Sequence, residues 1–115
     1  MPPRDWRLLI KDILESITKI RRYTAGTTFE SFSSDEKTVD AVVRNIGIIG
    51  EAARHIPQHI EEQYPDVPWS EMRGIRNVVI HLYFGVDLPI LWTTVQHNLP
   101  PLVSRLQEIL DIEAK

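Results

Sequence analysis

The chain has 115 residues, 43% of them hydrophobic and 25% charged, with no cysteine and a formal net charge of −3. One core is all this length accommodates, so residues 1–115 read as a single globular domain with no disulfide scaffold, thiolate nucleophile or cysteine-based metal site. The acidic balance excludes a protein that coats nucleic acid through bulk charge, yet leaves room for a few arginines gathered at one groove.

The start, "MPPRDWRLLIKDILES", has no apolar run of signal-peptide type, and no window approaches the roughly 20 apolar residues that span a bilayer. A soluble, cytoplasmic protein without membrane contact is expected. Trp6, Leu9, Ile10, Ile13, Ile17 and Ile20 then repeat at i, i+3, i+4, i+7, which predicts an amphipathic helix over about 5–24 with Asp5 as N-cap. Gly26 and the stretch "TAGTTFESFSSD" end it.

A second helix is predicted over about 34–55, starting near Ser34, with the stripe Val39, Val42, Val43, Ile46, Ile49, Ala53 and Ile56. Pro57 can open a short third helix, "PQHIEEQY", as a first-turn proline. "PDVPW" breaks the chain before Ser70 and Glu71 begin a fourth, which runs to Gly85 as an available left-handed C-cap. A last helix over about 87–114 carries Leu91, Val95, Leu99, Leu102, Leu106, Ile109 and Leu110, with a kink expected at Pro100 and Pro101. No segment alternates with period two between turn signals, so the reading is an all-α, up-and-down bundle of four to five helices.

The fourth helix contains "RGIRNVVIHLYFGVD", residues 73–87, in which charged and polar groups interrupt an apolar pattern. At about 100° per residue, with Arg76 at zero, Val78, Leu82, Ile75 and Val79 fall between about 200° and 300° and form the expected core face. Tyr83, Arg76, Ile80, Arg73, Asn77 and His81 fall between about −20° and 140°, on the opposite side. That arrangement takes His81 out of the core. Ile80 among these polar neighbours suggests that the face is covered by a second copy of the chain, which would bring two sets of arginine and histidine together.

Histidine suits proton transfer near neutral pH, and arginine presents a planar, permanently charged fork to phosphate. Together they suit cleavage of RNA without a metal, in which the 2′-hydroxyl attacks the adjacent phosphate and arginine stabilises the developing charge. No pair of carboxylates for metal-assisted cleavage stands beside the motif. His55 and His59 are four apart, but Pro57 between them breaks the common face, so no metal site and no cofactor are expected.

Arg76, four residues, His81, one residue and Tyr83, with Asn77 directly after the arginine, resembles the motif of the HEPN superfamily, specifically HepT-like toxins. "IGEAARHIP", "YPDVPW", "RNVVIHLYFGVD" and "LW" occur in the family's order and spacing, so the resemblance covers most of the chain. It implies a helical bundle, a homodimer with the motif at the subunit junction, and a metal-independent endoribonuclease that cleaves mRNA or tRNA. It further implies a type VII (formerly type II) toxin–antitoxin pair with a minimal, MntA-like nucleotidyltransferase antitoxin that can transfer AMP to the motif tyrosine. Carried over by position, Arg76 and His81 would be catalytic, Asn77 would orient them, and Tyr83 would be the modification site.

Glu51 and Arg54 form either an exposed i, i+3 pair or, as the family pattern favours, a support in which Glu51 reaches the fourth helix and holds Arg76 or Arg73. Gly47, Gly50 and Ala53 make a small-residue strip beside Glu51 that would allow close helix approach. The alternative to the ribonuclease reading is a non-catalytic helical module that partners a nucleotidyltransferase.

Overall fold

The apolar stripe of the first predicted helix is realised as α1 (Trp6–Thr24) in the computed structural model, which describes residues 5–81 and 85–114, His81 by its backbone alone. Asp5 caps it, its carboxylate accepting from the Arg7 backbone N–H at 2.9 Å. Ile10, Ile13, Ile17 and Ile20 are fully buried. They pack chiefly on α3 (Glu36–Arg54), whose own stripe of Val42, Ile46, Ile49 and Ala53 is equally buried.

The expected start of that second long helix moves by one residue, to an N-cap at Asp35, which accepts from the Thr38 backbone N–H. The stretch before it is not a plain terminator. Thr28 and Ser31 form a reciprocal capping box that starts a short helix, α2 (Phe29–Ser34). Its Phe32 is fully buried and lies 5.3 Å, ring to ring, from Trp92.

Pro57 stands at the N-cap of α4 (Gln58–Gln63), one place before the expected first turn. The connector that follows is fastened at both ends of "YPDVPW". The Trp69 indole N–H donates to the Tyr64 carbonyl at 2.9 Å, and the Tyr64 hydroxyl donates to Glu113 at 2.7 Å. Arg105 sits over the Tyr64 ring and donates twice to Asp66, at 2.7 and 2.9 Å.

The predicted fourth helix is corrected by the structure. It breaks at Gly74 into α5 (Trp69–Arg73) and α6 (Ile75–Val79), then leaves the helical region. Ile80 has φ −117° and ψ 119°, and the chain enters a two-stranded antiparallel ribbon, β1 (Ile80–His81) with β2 (Gly85–Val86). Three β-branched residues in a row, Val78, Val79 and Ile80, favour that exit. Gly85 is left-handed, with φ 75°, but in the ribbon and not as a helix cap.

The last predicted helix is continuous in outline and interrupted in hydrogen bonding. Asp87 caps α7 (Leu88–Thr93), a π-helical turn covers Thr94–Asn98, and α8 (Pro100–Glu113) completes it. The turn is the form that the expected kink takes: the Leu99 N–H bonds back to Thr94 at 3.0 Å just before two residues that have no N–H to give. Leu91, Val95, Leu99, Leu102, Leu106, Ile109 and Leu110 are all buried. Among the described residues the fold is all-α apart from the ribbon, and no helix is long and apolar enough to cross a membrane.

Candidate active site

The motif segment lies against α3 where that helix has no side chains to hold it away. A Cβ placed on Gly50 would meet the Met72 and Arg73 carbonyl oxygens at 3.6 Å and Ile75 Cγ2 at 3.5 Å. The junction of α5 and α6 therefore rests on the Gly50 backbone. One turn earlier, a Cβ on Gly47 would meet Cδ and Nε of Arg76 at 3.8 and 3.9 Å, so the stem of Arg76 crosses the bare Gly47. The expected small-residue strip is present, and its function is to seat the motif.

Arg76 and Asn77 are exposed on α6. Among the described residues the Arg76 guanidinium has no ion-pair or hydrogen-bond partner. Val79 is fully buried and Ile75 packs against the core, as the wheel predicts. Val78 does not follow, because it is 52% exposed, and Ile80, expected on the polar side, packs against the core. Ile80 departs because the wheel assumes a helix through 73–87 and this one ends at Val79, whereas Val78, inside α6, stands about 80° from the midpoint of Ile75 and Val79, at the edge of the buried face.

His81 follows in β1, its backbone paired with Gly85 and the ribbon continued by the Asp87 N–H donating to the Val79 carbonyl at 2.7 Å. The His81 side chain, Leu82 and the modification candidate Tyr83 lie outside the described residues.

The supporting residues pair differently from the family pattern. Glu51 lies 3.6 Å from Arg54 and 3.1 Å from the His55 ring, an exposed cluster on α3 itself. Arg73 is held instead by Glu61 of α4, at 2.6 Å and partly buried. Glu61 was not legible in advance, since it precedes Arg73 by twelve residues across two helix ends and no periodicity joins them. His55 closes α3 and His59 lies in α4, on either side of Pro57, and among the described residues no group of three or more acidic or histidine side chains converges as a metal-ligand set.

Among the described residues the titration shifts belong to the scaffold around the site. The Arg105 guanidinium, donating to Asp66, holds that carboxyl below its ordinary range, and the hydrogen bond to Glu113 raises the Tyr64 hydroxyl. The connector between α4 and α5 is thereby fastened to α8, and α5 sets the start of the motif.

Comparison with known proteins gives a consistent picture. The family model described as "Ribonuclease HepT-like" matches residues 13–109. A protein of Thermococcus cleftensis named "Probable ribonuclease HepT" is 41% identical over 100 residues, covering 87% of this chain and 91% of that protein. Two proteins of Methanocaldococcus jannaschii, each named "Putative RNase", are each 39% identical over 116 residues, covering 100% of this chain and 96% of theirs. No solved structure gives a significant match. With the family model spanning residues 13–109 and such relatives aligned along the whole chain, this protein belongs to the HepT-like ribonuclease family.

Proposed function

We propose that this protein is a metal-independent endoribonuclease whose reaction is carried by Arg76 and His81. The observation that carries the reading is Arg76: an exposed arginine with no carboxylate on it among the described residues, seated over Gly47 and five residues before His81, in a chain of a ribonuclease family. The RNA 2′-hydroxyl attacks the adjacent phosphorus, forming the 2′,3′-cyclic phosphate as the bond to the 5′-oxygen breaks. A histidine accepts the hydroxyl proton, and the departing 5′-oxygen receives a proton in turn. Arg76 stabilises the charge on the non-bridging oxygens, and Asn77 orients the pair.

The site is completed at a homodimer junction, where a second copy brings its own His81. Val78, 52% exposed beside Arg76 and Asn77, supports a covered face there, in the place first given to Ile80. The protein acts as the toxin of a toxin–antitoxin pair, neutralised by a nucleotidyltransferase that places AMP on Tyr83. Added phosphate beside Arg76 occupies the charge that RNA needs. Glu51 and Arg73 support the site at a distance, Arg73 through its Glu61 pair.

The test is cleavage of RNA by purified protein in EDTA. Arg76→Ala and His81→Ala are each expected to lower the rate by 100-fold or more, on the order of 3 kcal/mol or more of transition-state stabilisation, with unchanged helical circular dichroism. Equal rates for wild type and His81→Ala overturn the catalytic assignment. Co-purification with a nucleotidyltransferase without any cleavage would support a binding module instead.

A further inference from the structure

We propose that Arg44 is a substrate-binding residue, holding a backbone phosphate of the RNA strand next to the one engaged by Arg76. The proposal rests on the ribonuclease reading above. Arg44 lies on α3 three residues before Gly47, so the two positions are neighbours on one helix face, with Cβ directions about 5–6 Å apart. The Arg76 side chain borders the space above Gly47, with Cδ 3.8 Å from where a Cβ would be. Gly47 thus has Arg76 of α6 over it and Arg44 one turn before it on α3.

Both are exposed, and neither guanidinium has an ion-pair or hydrogen-bond partner among the described residues. Elsewhere on the molecule Arg7 is matched to Asp5, Arg54 to Glu51, Arg73 to Glu61 and Arg105 to Asp66, while Arg21 and Arg22 on α1 also lack a carboxylate among the described residues, so Arg44 is set apart by its place beside Gly47 and Arg76. Asp40, one turn before Arg44 on the same side of α3, makes no ion pair with it. In a chain with 16 acidic and 13 basic residues, two exposed arginines bordering one glycine and unpaired with any carboxylate among the described residues put two positive charges on one stretch of surface. Their mutual repulsion is relieved by an anion between them, and a strand of phosphodiesters supplies one for each.

The experiment measures binding of a short single-stranded RNA, 2′-O-methylated throughout so that it lacks the attacking hydroxyl, by fluorescence anisotropy across a range of salt. Arg44→Gln is expected to raise Kd about tenfold and to lower the slope of log K against log salt by about 0.7, one phosphate contact on a single strand. Arg44→Lys keeps the slope. Arg21→Gln removes the same charge from an exposed position on α1 and is expected to leave Kd within about twofold. An unchanged Kd and slope for Arg44→Gln, an equal loss for Arg21→Gln, or no binding by wild type overturns the proposal. Failure of the ribonuclease reading shows separately: wild type leaves unmodified RNA uncut in EDTA while still binding the methylated strand through Arg44.

Discussion

Gly50 and Gly85 are glycines for different physical reasons, and substitution separates them. At Gly50 the nearest atoms to an added methyl are 3.5–3.6 Å away, ordinary contact, and the residue is inside a helix. Gly50→Ala is therefore expected to stabilise by about 0.5–1 kcal/mol in thermal denaturation, from helix propensity alone. Gly50→Val carries further carbons toward the Met72 and Arg73 carbonyls and is expected to cost about 1–3 kcal/mol. At Gly85 no atom of the described residues lies within 4 Å of an added Cβ, so among them the restriction is conformational. With φ at 75°, Gly85→Ala is expected to destabilise by about 1–2 kcal/mol, and Gly85→Asn by less, because asparagine tolerates the left-handed region. Neither distinction is legible in the residue name: the small strip at 47, 50 and 53 reads from sequence, while which backbone it receives does not.

Among the elements, the long helices were legible and the short ones were not. The stripes of α1, α3 and α8 are each repeated over several turns, enough to fix which side is buried whatever happens at the ends. The motif occupies five-residue and two-residue elements, α5, α6 and β1, where a cap or a β-branched run decides the conformation before any period is established. Hence Arg76 and Asn77 were placed on an exposed surface correctly, and Val78 and Ile80 were exchanged. The connector that holds α5 depends on titratable groups. Asp66 in that connector and Asp35 at the N-cap of α3 have folded values below the ordinary 3.8, and Asp5 at the N-cap of α1 is lowered to about 2 by the Arg7 side chain. A lowered value stabilises above the unfolded pKa and is lost as pH falls through the folded one. Tyr64, raised from 10.0, contributes in full below that pH and loses its contribution as pH rises through the folded value. Thermal stability is expected to be flat near neutrality, to fall from about pH 4 toward 2, and to fall again above about 10. Asp66→Asn should shallow the acid limb, by a modest amount because the pair is exposed to solvent.

For the whole molecule, the exposed Val78 beside Arg76 makes association and activity one question. On the homodimer proposed above, Val78→Glu is expected to shift the protein to monomer in sedimentation and to reduce RNA cleavage in parallel, with secondary structure intact. A dimer unaffected by this change would place the junction elsewhere. The fastening of residues 64–66 by Arg105 and Glu113 has a consequence for the order in which the molecule is built. The helices of the motif are too short to persist alone in water and draw their order from α3 beneath them and from the connector that α8 fastens. Because α8 follows residues 73–87 in the chain, a polypeptide still leaving the ribosome can present that segment in full and yet lack the helix that ties down its connector.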